Sequence, residues 1–302
     1  MNSTNTFQKL KSFAATLITI SSLLTVNMAY AQESKPIQLR GFMQSTSSPE
    51  HTVPYGANPK AGHYANAGDA KIYYETYGQG QPVVVLHGGV FGSTYDMAEL
   101  IENIAKTHQV IAISTRGHGK SEIGTSPVTY EQKANDVMAV IKQVTPEKVS
   151  ILGFSDGGYA AYKVASMHPE QIDKLIVIGA GELQTGPRSY NFNQKDALRL
   201  DKSYWEQQQA LNPEPQKMDA YLADLSQFYN QLTASKAFFE TIKTPVLIIA
   251  GERDKNAPLS SIINAYNMLP NSQLAIIPHA GHGVFLENFP AVWDSIAPFL
   301  KK

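Results

Sequence analysis

Gly153-Phe154-Ser155-Asp156-Gly157-Gly158 sets a serine between glycines, directly after the apolar run Val149 to Leu152 and at the start of a helical pattern. A serine on a tight strand-to-helix turn is held in strained backbone geometry with its hydroxyl exposed, and glycines two residues to either side leave room for that turn. A serine hydroxyl is a poor nucleophile at its own pKa. It needs an imidazole to take its proton and a carboxylate to fix the tautomer of that imidazole and stabilise its charged form. Two later loops offer them: Asp254 follows the run Val246 to Ala250 in Gly251-Glu252-Arg253-Asp254, and His282 follows Leu274 to Ile277 in Pro278-His279-Ala280-Gly281-His282-Gly283. Glu182, after the run Leu175 to Ile178, is the competing carboxylate.

Other residues near these positions carry a second reading. His279 and His282 with Asp254 could suggest a metal, but no helical H-E-x-x-H or comparable ligand spacing accompanies them, so no metal is expected. Asp156 beside the serine complements the dipole of the helix that starts there, or else pairs with an ammonium group on a substrate. His118 lies in a Gly-flanked turn and is expected to order that loop.

The elements that must position these side chains are legible as period and run. Ala70 to Tyr77 alternates, as an early hairpin strand should. Val83 to Leu86, Val110 to Ile113, Val149 to Leu152, Leu175 to Ile178, Val246 to Ala250 and Leu274 to Ile277 are continuous apolar runs, the form of strands buried on both faces. Helical patterns separate most of them: Thr94 to Thr107, Thr129 to Val144 with Thr129 as N-cap, Gly157 to Met167, and Leu259 to Met268. Alternation of this kind predicts an α/β fold with a doubly wound, mostly parallel sheet. From about 182 to 240 no buried strand is visible, and the text reads as a helical cap inserted over the sheet. Its aromatics, Tyr190, Phe192, Tyr204, Trp205, Tyr221, Phe228, Tyr229, Phe238 and Phe239, are expected mostly to pack the cap, with about a third facing the cleft.

With Leu86-His87-Gly88-Gly89, Arg116-Gly117-His118-Gly119-Lys120-Ser121, the turn at Ser155 and the Asp254 and His282 loops together, the chain resembles the α/β-hydrolase superfamily from about residue 63 to the C-terminus. The Gly-Phe-Ser-Asp-Gly-Gly form is more loosely similar to biphenyl hydrolase-like and valacyclovir hydrolase-type esterases. The order Ser, Asp, His along the chain is that of the superfamily. The resemblance implies Ser155, His282 and Asp254 as catalytic residues and an oxyanion hole formed by the amide of Asp156 and that of Gly89, with Val90 the neighbouring choice for the second. It implies that His87 orders its loop. Where the family usually has an Asp before the Arg116 segment this chain has Ser114, taken as structural.

Composition bounds the rest. With 43% hydrophobic and 17% charged residues over 302 positions, the chain can bury a full-sized core. Its 25 basic and 26 acidic residues form no long block of one sign, so no nucleic-acid partner is expected. Lys9 and Lys11 precede an apolar run from Phe13 to Val26 that ends in Ala29-Tyr30-Ala31, the three-part form of a secretory signal over 1–31. That run is short of the ~20 residues a membrane span needs, so no stable anchor is expected after cleavage and the location is periplasmic or secreted. Residues 32–62 read as an extended leader with no chemistry assigned, and 63–302 as the hydrolase domain. With no cysteine the enzyme cannot be a thiol hydrolase. The expectation is a cofactor-free serine hydrolase acting on a small-molecule ester. The alternatives are a carbon-carbon bond hydrolase, perhydrolase or amidase with the same triad, or a non-catalytic ligand-binding protein of the same fold.

Overall fold

Apolar runs too short for a helix and covered on both sides become the strands of one sheet. The computed structural model describes residues 39–42, 51–184, 186 and 189–301, and the segment read as an export signal lies outside the described residues. Eight strands form the sheet among them: β1 (Gly62–Asn66), β2 (Lys71–Tyr77), β3 (Pro82–Leu86), β4 (Gln109–Ile113), β5 (Val149–Phe154), β6 (Ile172–Ile178), β7 (Val246–Gly251) and β8 (Ser272–Ile277). Their spatial order is β1-β2-β4-β3-β5-β6-β7-β8. β1 and β2 pair antiparallel, as do β2 and β4, while every pairing from β4 to β8 is parallel. The direction of winding reverses at β3, which lies between β4 and β5. In such a sheet the crevice for a ligand opens beyond the carboxyl ends of the strands at that point.

The helices are α1 (Ala98–Ile104), α2 (Tyr130–Val144), α3 (Asp156–Met167), α4 (Gln194–Leu200), α5 (Lys202–Leu211), α6 (Met218–Gln231), α7 (Lys236–Phe239), α8 (Leu259–Met268), α9 (Val284–Glu287) and α10 (Phe289–Lys301). Thr129 caps α2 by accepting from the Gln132 amide at 3.0 Å, as its residue type suggests. The helix expected over Thr94 to Thr107 is instead a 3-10 turn, Thr94–Met97, followed by α1. Ser93 and Asp96 brace that turn, with the Ser93 amide and hydroxyl both donating to the Asp96 carboxylate. Between β6 and β7 the chain runs through α4 to α7.

Strand parity sorts the core into two layers. Val84 and Leu86 of β3, with Ile111 and Ile113 of β4, pack beneath α2 and α3 among Val137, Ile141, Ala161 and Tyr162. Val83 and Val85, with Val110 and Ala112, face the opposite side, against Met97, Leu100 and Ile104 and the α10 residues Val292, Ile296 and Phe299. A third apolar cluster, with Trp205, Met218, Tyr221, Leu222 and Leu225, joins the α5–α6 region to Val90 and Ile123.

One buried cation ties the α2 side of the sheet to the third cluster. Arg116, just beyond β4, forks onto Asp136 of α2 with Nε and Nη2 both at 2.8 Å, while Nη1 reaches Asp69 at 3.0 Å and the Ile123 carbonyl at 3.1 Å. The Arg116 carbonyl accepts from Tyr221 of α6 at 2.7 Å, and the Gly117 carbonyl from Asn212 at 3.0 Å. Removing only the cation leaves Asp136 buried with its charge uncompensated, which costs about 3–5 kcal/mol. Arg116→Met should therefore lower the unfolding free energy read from urea denaturation by that much, and the double variant Arg116→Met/Asp136→Leu should recover most of it; a single-variant loss below ~1 kcal/mol would contradict this role.

Candidate active site

The turn between β5 and α3 is built by close contact. Ser155 adopts φ 52°, ψ −115°, a left-handed φ that side-chain-bearing residues rarely hold. Its amide continues the ladder toward β6 by donating to the Ile178 carbonyl at 2.8 Å. The flanking glycines are required sterically: a Cβ at 157 would lie 2.5 Å from the His87 carbonyl oxygen and 2.6 Å from that of Leu86, and one at 153 would lie 2.3 Å from the Gly157 oxygen.

His282 and Asp254 arrive from the ends of β8 and β7. Their two loops are zipped together, since Arg253 N donates to the Ala280 carbonyl at 2.8 Å and Gly251 has no room for a side chain beneath Gly281. His282 Nε2 lies 3.0 Å from Ser155 Oγ and its Nδ1 lies 2.7 Å from Asp254 Oδ2. A carboxylate on Nδ1 demands a proton there, leaving Nε2 to accept from the serine hydroxyl. The other oxygen of Asp254 accepts from the amides of Asn256 and Ala257 at 2.8 and 2.9 Å, so the buried carboxylate is fixed on both sides. Phe154 lies against the His282 ring, centroids 4.9 Å apart. Glu182 is turned elsewhere and accepts from Asn264 of α8 at 2.8 Å. His279 is directed away as well, with Nδ1 2.8 Å from Arg253 Nη2.

A cavity of about 500 Å³ opens over Ser155, lined by Gly88 to Gly92, Phe154, Asp156, Leu183, Leu232, His282, Phe285 and Leu286 among others. Of the nine aromatics expected in the cap, Tyr190, Phe192 and Tyr229 face it. Tyr204, Trp205, Tyr221 and Phe239 are buried in packing, and Phe228 and Phe238 lie against the core. Gly89 and Asp156 both line the cavity and approach so closely that a Cβ on Gly89 would lie 2.8 Å from the Asp156 Cβ. The next residue, Val90, holds φ 52°, an outlier for a β-branched side chain. Ser114 lies outside the cavity wall, its hydroxyl 2.9 Å from that of Thr94 and its carbonyl accepting from Ser121 at 2.6 Å.

Asp156 does more than complement a helix dipole. Its Oδ2 takes Lys133 Nζ at 2.5 Å, and its Oδ1 accepts from Tyr130 and Tyr229 at 3.0 and 2.7 Å. Burial alone would raise this carboxyl, but the Lys133 charge and the hydrogen bonds from Lys133 and Tyr229 outweigh it and hold its pKa below the ordinary value. Sequence reasoning missed Lys133. The available signal was a lysine on the buried stripe of α2, among Tyr130, Ala134, Val137 and Ile141. It also missed Asp96 and Phe42, both of which line the cavity, the latter from the segment read as a leader.

Both His87 and His118 order their loops. His87 Nε2 accepts from the Thr115 amide at 3.0 Å and its Nδ1 meets the Gly88 carbonyl at 2.6 Å. His118 Nδ1 lies 3.1 Å from the Arg116 carbonyl, and the two rings stand 4.9 Å apart.

A serine on a strand-to-helix elbow, facing an imidazole and a carboxylate from later strand ends of a sheet in this order, is the arrangement of the α/β-hydrolase class. The family model described as alpha/beta hydrolase fold matches residues 82–236, and the chain belongs to that family. It is 26% identical over 262 residues to 2-hydroxy-6-oxo-6-(2'-aminophenyl)hexa-2,4-dienoic acid hydrolase of Metapseudomonas resinovorans, covering 79% of this chain and 90% of that one. It is 25% identical to the serine hydrolase BPHL of Homo sapiens over 231 residues, 72% of this chain and 78% of that one. Among solved structures, a serine hydrolase involved in carbazole degradation superposes with a TM-score of 0.69 at 25% identity, covering 80% of this chain and 98% of that one.

The two loop histidines set an acid limit. Burial and the neighbouring His118 hold His87 down at about 3; burial and the Lys133 charge hold His118 at about 4. An unfolded histidine titrates near 6.5, so below that pH the unfolded chain binds more protons and stability falls as pH drops from 6.5 toward 4. Asp96 works the other way between about 4 and 6, because burial raises its carboxyl to about 6 against opposing hydrogen bonds from Ser93 and Phe42. Two groups against one leave a net loss on the order of 2 kcal/mol between pH 7 and 5, or about 5 °C in the thermal midpoint. A midpoint that stayed level or rose over that range would contradict the burial of both rings as neutral imidazoles.

Proposed function

We propose that this chain is an exported serine hydrolase that cleaves a carboxylic ester, or a related acyl bond, of a small molecule through an acyl-enzyme. The observation that carries the reading is the relay Asp254 Oδ2 to His282 Nδ1 at 2.7 Å and His282 Nε2 to Ser155 Oγ at 3.0 Å, with the serine at the floor of the cavity. His282 takes the Ser155 proton as Oγ bonds to the substrate carbonyl carbon, and Asp254 stabilises the imidazolium. The carbonyl oxygen becomes an oxyanion facing the amides of Asp156 and Gly89, with Val90 the alternative to Gly89. The tetrahedral intermediate collapses as His282 hands its proton to the leaving alkoxide. Water, deprotonated by the same imidazole, then releases the acid and restores Ser155. These steps call on no cofactor.

Charge in the cavity disfavours an anionic substrate. No lysine or arginine lines it among the described residues, and the nearby Lys133 is already paired with Asp156. A second reading, hydrolysis of a carbon-carbon bond in a dienoic acid, draws on the likeness to the Metapseudomonas enzyme. Among the described residues no cation lines the cavity to receive the carboxylate of such a substrate. Export rests on the Lys9, Lys11, Phe13 to Val26 and Ala29-Tyr30-Ala31 pattern, and periplasmic or secreted location follows from it.

A fluorophosphonate probe should label the folded protein, and labelling should vanish in Ser155→Ala and fall at least ~10³-fold in rate in Asp254→Asn, where the tautomer is wrong. Folded protein that stays unlabelled would sink the hydrolase reading in favour of a binding protein. Because Lys133 neutralises Asp156, kcat/KM for an amino-acyl nitrophenyl ester should lie within about threefold of its uncharged analogue. A preference above tenfold for the ammonium ester would show that a carboxyl of the cavity wall, Asp156 or Asp96, binds the ammonium group.

A further inference from the structure

The cavity has a wall from outside the hydrolase domain as read from the sequence. Phe42 lies well ahead of the region matched by the family model, on the segment to which no chemistry was assigned, yet it lines the same cavity as Ser155 and His282. Its ring stacks on Phe91, with centroids 4.7 Å apart and planes 11° from parallel, and meets the Tyr204 ring edge-on at 5.5 Å. Phe91 is pinned in turn, because the Tyr204 hydroxyl donates to its carbonyl at 2.6 Å. We propose that Phe42 is a specificity-determining residue, a wall that sets how long an acyl chain or leaving group the cavity accepts.

The segment is anchored as a wall must be. Leu39 is buried. The Arg40 guanidinium forks onto Asp201 with both contacts at 3.0 Å, and Asp201 also caps α5 by accepting from the Tyr204 amide at 3.2 Å. The Arg40 backbone is clasped at both polar groups by Gln207, its amide donating to Oε1 and its carbonyl accepting from Nε2, each at 3.2 Å. The Phe42 amide donates to Asp96 Oδ1 at 3.3 Å. Bidentate ion pairing and two-point backbone pairing fix position rather than merely attract. Phe42 itself is only half-buried, which suits a ring with one face packed and one face on the cavity.

This inference rests on the cavity being the substrate site, so its test has an arm that needs no hydrolysis. In the first arm, nitrophenyl esters from acetyl to decanoyl are compared in the full chain, Phe42→Ala and Phe42→Trp. Phe42→Ala should raise the ratio of kcat/KM for long over short esters about tenfold, the worth of roughly two further buried methylenes, and Phe42→Trp should lower it. A uniform change across the series would mark Phe42 as packing only and overturn the proposal. In the second arm, uncleavable methyl ketones of increasing alkyl length are titrated calorimetrically into Ser155→Ala protein with and without Phe42→Ala. Affinity should stop rising at a certain length, and that length should increase by about two carbons when the ring is removed. An unchanged length overturns the proposal whether or not esters are hydrolysed, while failure of the first arm on wild-type protein alone indicts the ester reading.

Discussion

The contact on which the site depends is between two pieces of backbone. Gly157, at the start of α3, sits against the carbonyl oxygens of Leu86 and His87 at the end of β3, closer than any side chain would permit. That contact makes the strand end and the helix start one unit at the point where the sheet reverses its winding. It delivers Ser155 upward and brings Gly89, on the loop after β3, beside Asp156. His87 then holds that loop through its two ring nitrogens, and the Gly251–Gly281 approach does the equivalent for the loops bearing Asp254 and His282. The side-chain contacts at the centre thus depend on main chains that pack around it with no room for a Cβ between them.

Electrostatics adds a second layer of order. Asp156 joins α3 to Lys133 and Tyr130 of α2 and to Tyr229 of α6. Lys133 also lies 5.4 to 5.9 Å above the rings of Tyr130, Phe228 and Tyr229. Desolvating both charges offsets much of their attraction, so the pair is a weak source of stability. Its effect is directional. It fixes the residue next to Ser155 relative to helices from both the core layer and the cap, and it leaves the cavity without a free cation among the described residues.

Much of this was readable from residue order, for reasons that differ by element. β3, β4, β5 and β7 announced themselves because nearly all their residues are buried on both faces, whereas β8, whose apolar run Leu274 to Ile277 reads the same way, is an edge strand with only Ile277 buried and Ile276 exposed; Leu259–Met268 was bounded by its own pattern. β1 gave no such signal: of Gly62 to Asn66 only Ala65 is buried, since an edge strand needs one apolar face at most. The amphipathic spacing of Val292, Ile296 and Phe299 in α10 was available, with Pro298 interrupting it late, and went unassigned. The serine, carboxylate and imidazole were found because each sits just past a strand end. Phe42 and Lys133 were not, because what gives them meaning is a contact with Phe91 or Asp156, distant in sequence, that no local pattern encodes.

The positive φ at Ser155 has a consequence for how such a chain can change. A non-glycine residue in that region costs on the order of 1–3 kcal/mol and persists only because its surroundings leave it no other conformation. Glycine would occupy the same turn without that penalty, so the most comfortable residue for the fold at this position is one that cannot attack a substrate. In the acyl-enzyme chemistry proposed above, durability and reactivity therefore pull in opposite directions at residue 155.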